Sequence, residues 1–158
     1  MKQRIISWCS EYFIMVGAFA VVIFLIVQPT IHDSILKLIV MTLVTISLWY
    51  LGAALKFLIR KDRPVDRNDN LKLRDRYTFP SMHALTISSA SVYIYMHNFL
   101  FGLVMFSISF IIMYSRVRTK MHYITDVIGG FLIGITLTLI FAPLFEKYVS
   151  VLLSIYNL

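Results

Sequence analysis

Residues 35–59 read ILKLIVMTLVTISLWYLGAALKFLI, an apolar run in which Lys37 and Lys56 are the only charged residues. A helix needs about 20 predominantly apolar residues to cross the hydrocarbon core of a bilayer. Lipid cannot satisfy backbone polar groups, so a run of this length is expected to be helical throughout. The stretch therefore predicts a membrane-spanning helix, and this decides the class of the fold.

Four further apolar segments flank this one. The 158-residue chain is 59% hydrophobic and 15% charged, which excludes an ordinary soluble domain. We predict an all-α fold, a polytopic transmembrane helix bundle of about five spans in a single domain over residues 1–158. Residues 144–158 are expected either to extend the last helix or to lie in the membrane interface. The flanking segments run from about Tyr12 to Val27, from Pro80-Ser81 to Met96, from Phe99 to Tyr114, and from Tyr123 to Phe141, where Ala142-Pro143 is expected to end the helix.

The charge balance indicates an anionic partner. The formal net charge is +7, and the positive residues are clustered rather than spread along the chain. Such a cluster suits membrane lipid headgroups or a phosphorylated substrate. Its place between predicted spans argues against nucleic acid, and the single cysteine, Cys9, excludes an internal disulfide.

Polar residues at the ends of the predicted spans form three short clusters. Polar side chains are costly inside a membrane protein, so these residues need a reason to be there. The second span ends on the side where the third begins, and the fourth ends and the fifth begins on that same side. All three clusters are therefore expected at one face of the bundle. They are Lys56 with Arg63-Pro64, then Pro80-Ser81-Met82-His83, then Ser115-Arg116 with His122 and Asp126.

Two of the histidines have the surroundings of catalytic groups. His122 and Asp126 are four residues apart, so on one helix Asp126 can accept a hydrogen bond from one ring nitrogen of His122. That bond would fix the tautomer, leave the other nitrogen free to attack, and stabilise the imidazolium that attack creates. His83 lies at a helix start facing the same site, where it can act as a general acid.

The remaining cluster residues suit a phosphoryl group. Lys56, Arg63 and Arg116 supply three cations that can neutralise charge in a phosphoryl-transfer transition state. Ser81, with the backbone N–H groups of Met82 and His83, forms a helix N-terminus, which is a natural anion site. Such a site needs no metal and no cofactor.

Other polar residues have simpler interpretations. We assign His32 and His97 to the headgroup level, without a catalytic role. Asp62, Asp66, Asp69 and Asp75 alternate with basic residues and balance local charge, and no histidine joins them in the spacing of metal ligands. A solvated or headgroup-contacting face is predicted for Arg60, Lys61, Arg67, Lys72, Arg74, Arg76, Arg118 and Lys120.

In order and spacing, the three clusters resemble the motifs of the type 2 phosphatidic-acid phosphatase family. The resemblance covers the chain from Lys56 to Asp126. It implies a helical membrane phosphatase that works through a phosphohistidine intermediate without metal. By position, His122 would be the nucleophile, Asp126 its orienting partner and His83 the acid that protonates the leaving oxygen. Phosphate would be bound by Lys56, Arg63, Ser81, Arg116 and the backbone N–H of Met82.

The chain departs from the family pattern in two respects. Met82 stands where the second motif usually has glycine, which lets a backbone N–H approach phosphate closely. Its side chain is expected either to narrow the pocket or to touch the lipid. Membrane members commonly have six spans, whereas five are predicted here. This resembles short bacterial members related to lipid A 1-phosphatases, undecaprenyl-pyrophosphate phosphatases and phosphatidylglycerophosphate phosphatases, and the sequence does not choose among these substrates.

Orientation in the membrane is predicted differently by two arguments. The positive-inside rule would place the active face in the cytoplasm, because Lys2, Arg4 and the cations around Arg63 and Arg116 all lie on that face. The family resemblance implies the periplasmic or outer face of a bacterial inner membrane, and we adopt that expectation. Two other functions stay open: a non-catalytic protein that binds anionic lipid through its basic face, and a vanadate-type oxidase, which the membrane spans disfavour.

Overall fold

The computed structural model describes residue 15, residues 17–64 and residues 77–155. The described residues form five helices and one isolated antiparallel bridge, between Asp62 and Tyr77. The predicted all-α fold is confirmed. The helices are α1 (Gly17–Ile26), α2 (Ile31–Ile59), α3 (Met82–His97), α4 (Phe99–Arg118) and α5 (Ile124–Ile155).

The helix boundaries follow from their caps. α2 begins at Ile31, earlier than predicted, because Thr30 caps it: the Thr30 Oγ1 accepts from the Asp33 N–H at 3.0 Å. Asn98 separates α3 from α4 and caps α4 through the Phe101 N–H at 3.1 Å. Among the described helices, α2, α4 and α5 are long and apolar enough to cross a membrane. The predicted start of the first segment, at Tyr12, lies outside the described residues.

The short helix α3 occupies the centre of the bundle. Its 16 residues pack against α2, α4 and α5. Small polar side chains line its contacts and pair across helices: Ser91 and Ser109 are 2.7 Å apart, and Thr138 donates to Ser89 at 2.7 Å. Small residues let membrane helices approach closely, and such hydrogen bonds satisfy their hydroxyls away from water.

The predicted end of the last helix at Ala142-Pro143 is wrong. α5 continues through Pro143 to Ile155, so the alternative that residues after 143 extend the helix is confirmed for that part of the tail. Pro143 itself is exposed, while Ala142, Val149 and Leu153 are buried in one cluster with α2. Packing on both sides of the proline holds the helix together, and proline is tolerated in membrane helices for this reason.

Two glycines set the distance between α3 and α5. A Cβ on Gly130 would lie 2.6 Å from the Ser81 carbonyl oxygen, and one on Gly134 would overlap Ser88 and Leu85. Without Cβ atoms at these positions, the first half of α5 lies directly against the start of α3. The Ser81 N–H therefore donates to the Asp126 carbonyl oxygen at 3.0 Å, which joins two of the polar clusters through the backbone.

Candidate active site

The three polar clusters meet at one end of the bundle, as predicted. The ends of α2 and α4 and the starts of α3 and α5 lie together there. The chain that enters α3 is tied to the chain that leaves α2: the Thr78 N–H donates to the Lys61 carbonyl at 2.8 Å, and the Lys56 ammonium donates to the Tyr77 carbonyl at 2.9 Å. These bonds fix the residues that precede the second motif beside the first.

His122 and Asp126 are both buried, but they do not bond to each other directly. The His122 Nδ1 and the Asp126 Oδ2 are 4.0 Å apart, with exposed fractions of 5% and 0% for the two side chains. The prediction placed both residues on one helix, whereas α5 begins at Ile124, so His122 lies in the turn before it. Its N–H bonds to the Arg116 carbonyl at 3.3 Å, which ties this turn to the end of α4.

Thr78 fills the gap between the two side chains. Its Oγ1 lies 2.9 Å from the His122 Nδ1 and 2.7 Å from the Asp126 Oδ2. The threonine is fully buried. Its position beside His122 could not be predicted from the sequence, because an uncharged residue outside the motif carries no signal of its own. Its place two residues before Pro80 was the only available hint.

Lys61 holds the other oxygen of the same carboxylate. The Lys61 Nζ lies 2.6 Å from the Asp126 Oδ1 and donates to the Thr125 hydroxyl at 2.8 Å. The assignment of Lys61 to a solvated or headgroup-contacting face is therefore wrong: its chain end turns inward and its side chain is only 35% exposed. The Tyr123 N–H completes the carboxylate's partners, donating to Oδ2 at 2.8 Å.

Cations surround both histidines. Lys56 and Arg116 are buried, and with Arg63 they act electrostatically on His83. Burial lowers the pKa of His122 to about 3, and the charges of Arg63 and Lys56 act in the same direction, while Asp126 opposes them. At neutral pH His122 is therefore a neutral imidazole, which is the nucleophilic form.

The start of α3 presents an unused polar atom. Ser81 precedes the helix and makes no side-chain cap. Its Oγ is buried and has no hydrogen-bond partner among the described residues. The N–H groups of Met82 and His83 belong to the first turn, where a helix has no internal acceptors. A buried hydroxyl beside such donors suits an anion, and the exposed His83 side chain stands at the edge of this site.

The methionine in the second motif is accommodated by α2. A Cβ on Gly52 would lie 2.7 Å from the Met82 Sδ, so the Met82 side chain packs directly on that glycine. The missing side chain at Gly52 makes room for the extra one at position 82, and the backbone N–H keeps its place at the helix start.

Two neighbouring cavities lie at this end of the bundle, and one of them reaches His122. One, of about 620 Å³, is lined by His122 together with Lys61, Lys120 and Thr125. The other, of about 440 Å³, is an apolar groove between α4 and α5 lined by residues such as Met113, Ile128 and Phe131. Val117 and Ile124 line both, so the groove continues from the cavity at His122 towards the middle of the helices.

The described residues contain no group of three or more His, Cys, Asp or Glu side chains placed to hold a metal ion.

Several predictions concern residues outside the described part of the chain. These residues are Lys2, Arg4, Cys9, Asp66, Arg67, Asp69, Lys72, Arg74, Asp75 and Arg76.

The profile of the PAP2 superfamily matches residues 34–150. This match spans most of the chain and includes all three polar clusters. The chain belongs to the PAP2 superfamily. The resemblance to the type 2 phosphatidic-acid phosphatase family is thereby confirmed.

Two known proteins resemble the chain. Mouse sphingosine-1-phosphate phosphatase 1 is 29% identical over 118 residues, which cover 67% of this chain and 27% of that protein; the chain thus spans about a quarter of the length of this relative. The crystal structure of a transmembrane PAP2-type phosphatidylglycerolphosphate phosphatase from Bacillus subtilis superposes with a TM-score of 0.64 at 20% identity, covering 92% of this chain and 77% of that one. The shared fold is that of a multi-pass membrane protein.

Proposed function

We propose that this protein is a membrane lipid phosphatase that hydrolyses a phosphate monoester or pyrophosphate on a lipid through a phosphohistidine at His122. One observation carries the proposal: a buried, neutral imidazole is oriented through Nδ1 beside a carboxylate and lies within the field of Lys56 and Arg63. An oriented neutral imidazole with its second nitrogen free is a nucleophile.

The proposed reaction has two steps. In the first, the His122 Nε2 attacks phosphorus, the bond from phosphorus to the lipid oxygen breaks, and His83 gives a proton to that oxygen from its imidazolium form, which the negative charge of the bound phosphate stabilises. In the second, His83 takes a proton from water, the resulting hydroxide attacks phosphorus, and the bond from phosphorus to Nε2 breaks to release phosphate. Each step uses His83 once, first as acid and then as base.

The phosphoryl oxygens need several donors in both steps. Lys56, Arg63 and Arg116 would supply positive charge, while the Ser81 hydroxyl and the Met82 N–H would supply fixed hydrogen bonds. Ser81 fits this role because its buried Oγ has no hydrogen-bond partner among the described residues. With three cations present, charge neutralisation in the transition state requires no metal.

The apolar groove supports a lipid rather than a small soluble phosphate ester. It shares Val117 and Ile124 with the cavity that contains His122, and it extends away from that cavity between two membrane-crossing helices. A hydrocarbon chain lying there would lead away from the cavity that His122 lines, and burying apolar area gains about 25 cal/mol per Å².

The direct test is phosphate release by purified, detergent-solubilised protein in excess EDTA. The panel is phosphatidylglycerophosphate, undecaprenyl pyrophosphate, lipid A and sphingosine-1-phosphate, with glycerol 3-phosphate as the soluble control. We expect release from at least one lipid in the presence of EDTA, and much less from the soluble ester. Folded protein that releases no phosphate from any lipid would support the alternative of a non-catalytic protein that binds anionic lipid. Release that requires added Mg²⁺ would contradict the mechanism.

We further propose that the protein resides in a bacterial inner membrane with its active end on the periplasmic side. The positive charge at that end would then attract an anionic substrate. A variant without Cys9 would carry one new cysteine, either at exposed Lys120 beside the site or at exposed Lys147 near the opposite end. A membrane-impermeant maleimide should label only the Lys120→Cys variant in spheroplasts. Labelling of only the Lys147→Cys variant would reverse the orientation.

A further inference from the structure

We propose that Thr78 is a positioning residue. Its hydroxyl links the His122 nucleophile to Asp126 in a hydrogen-bond relay and thereby fixes the tautomer of His122. The inference rests on the proposed function of His122. The observation behind it is a separate one, namely the direction of the hydrogen bonds that connect a series of buried side chains. The series runs from the Lys61 ammonium through the Asp126 carboxylate and the Thr78 hydroxyl to the His122 Nδ1.

The direction of the hydrogen bonds follows from counting hydrogens. A threonine hydroxyl has one hydrogen to donate and lone pairs to accept. The Asp126 carboxylate can only accept, and its Oδ2 lies 2.7 Å from the Thr78 Oγ1, so the hydroxyl hydrogen is directed to Asp126. The same oxygen lies 2.9 Å from the His122 Nδ1 and must accept there. The Nδ1 therefore carries the ring proton, and the Nε2 lone pair is free for phosphorus.

Lys61 contacts two members of this relay, Asp126 and Thr78. Its ammonium bonds the Asp126 Oδ1 at 2.6 Å, and its carbonyl accepts the Thr78 N–H at 2.8 Å. The Lys61 ammonium and the Tyr123 N–H, which donates to Oδ2 at 2.8 Å, both donate hydrogen bonds to the carboxylate oxygens. The Asp126 carboxylate therefore acts as an acceptor, and the hydrogen of the Thr78 hydroxyl points to it.

The relay matters most when phosphorus bonds to Nε2. The ring then becomes cationic while its proton stays on Nδ1, and the bond from Nδ1–H to the Thr78 oxygen strengthens. The Thr78 hydroxyl, itself bonded to an anion, is a better acceptor than an isolated one. No proton leaves the ring in this step. A direct bond to Asp126 would need to close the 4.0 Å gap between Nδ1 and Oδ2.

The test compares Thr78→Val with Thr78→Ser and with Thr138→Val. Valine keeps the shape but removes the hydroxyl, whereas serine keeps it. Thr138→Val is a matched control, because Thr138 is also fully buried and donates a 2.7 Å bond, to Ser89 in the bundle interior. Hydrogen-bond partners that orient metal-ligating histidines are worth about 10–100-fold in metal affinity or activity, and we expect a kcat loss of that order for Thr78→Val. KM should change little, Thr78→Ser should restore most of kcat, and Thr138→Val should keep it.

A second readout does not depend on turnover. The chain has four histidines, so nitrogen-15 labelling of histidine gives a spectrum simple enough to assign. The shifts of His122 should report protonated Nδ1 in the wild type and in Thr78→Ser, with Nε2–H appearing in Thr78→Val. Protonated Nε2 in the wild type would overturn the proposal, even if Thr78→Val does not fold. Unchanged kcat in Thr78→Val, or equal losses for valine and serine, would overturn it too. Absence of lipid phosphatase activity in a wild type that shows protonated Nδ1 would instead refute the proposed function.

Discussion

The described part of the protein contains a histidine beside a carboxylate at each end of the bundle. At one end, the His97 Nε2 lies 2.7 Å from the Glu146 Oε1, with side chains 21% and 27% exposed. At the other, the His122 Nδ1 is 4.0 Å from the Asp126 Oδ2, with side chains 5% and 0% exposed. The direct pair is the more exposed one, and the bridged pair is the one surrounded by the motif residues.

The two pairs differ in their surroundings, and these surroundings decide which histidine we propose as the nucleophile. The rings of Tyr93 and Phe24 flank His97, with centroids at 4.8 and 6.4 Å. Near His122 the corresponding places are taken by a buried hydroxyl and by the positive charges of Arg63 and Lys56. Burial, cations and a third orienting group distinguish the second pair, and these are the features on which catalysis depends.

Replacing each histidine by asparagine should give the largest contrast. His122→Asn removes the proposed nucleophile, and loss of a covalent nucleophile in serine proteases costs about 10⁶-fold in kcat. We expect turnover of every substrate to fall to background, while His97→Asn keeps wild-type kcat. Phosphate release from the best lipid substrate measures both. A His97→Asn variant as inactive as His122→Asn would remove the distinction between the two ends.

Replacing the two carboxylates, Asp126 and Glu146, should give a smaller difference in kcat. Asp126→Asn preserves shape but can donate to the Thr78 oxygen, which reverses the relay and favours the wrong tautomer. The equivalent change in the serine-protease triad costs about 10⁴-fold, and we expect a kcat loss up to that size. Glu146→Gln should leave kcat unchanged, although it weakens the pair with His97. Circular dichroism and thermal unfolding of both variants would control for folding.

His83 should show its role through the leaving group. General acid catalysis contributes about 10²–10⁴-fold, and more when the leaving oxygen is a poor leaving group. His83→Ala should therefore slow cleavage of a lipid phosphate monoester more than cleavage of a lipid pyrophosphate. The measurement is the ratio of kcat values for the two substrates in wild type and variant. Equal losses on both substrates would mean that His83 is not the acid.

The smallest effect is expected in the apolar groove. Ile128 and Ile140 both lie on α5 and are 51% exposed, but Ile128 lines the groove beside the His122 end and Ile140 does not. Ile128→Trp should fill the groove and raise KM for a long-chain lipid phosphate by about tenfold, corresponding to 1.4 kcal/mol. KM for a short-chain analogue should stay constant, and Ile140→Trp should change neither. Equal KM values for Ile128→Trp and wild type on long chains would exclude the groove as the binding place of the lipid chain.

The meeting of the three polar clusters at one end of the bundle could be predicted from the order of the spans. The alternation of span ends places Lys56, His83 and Asp126 at one end of any up-and-down bundle, whatever the details of packing. Small residues such as Gly130 then allow the close contact that joins the clusters. These properties depend on local sequence and on topology alone.

The parts that could not be predicted depend on tertiary contacts. Thr78 reaches His122 only because its backbone is tied to Lys61, a contact that no periodicity reveals. Lys61 was assigned to the solvated face because it is one of many cations in its stretch, and only the structure shows which one meets Asp126. The continuation of α5 past Pro143 depends on burial of Val149 and Leu153 with α2, which outweighs the local signal of the proline.

The proposed phosphohistidine at His122 is tested most directly by trapping the covalent intermediate. Wild-type protein would be mixed with a radiolabelled lipid phosphate, quenched in alkali, which preserves a phosphorus–nitrogen bond, and digested with trypsin. In the sequence, residues 121–147 form a tryptic peptide whose only histidine is His122, whereas His83 and His97 fall together in residues 77–116. We expect acid-labile label in the 121–147 peptide, present in His97→Asn and absent from His122→Asn. Label in the 77–116 peptide would contradict it.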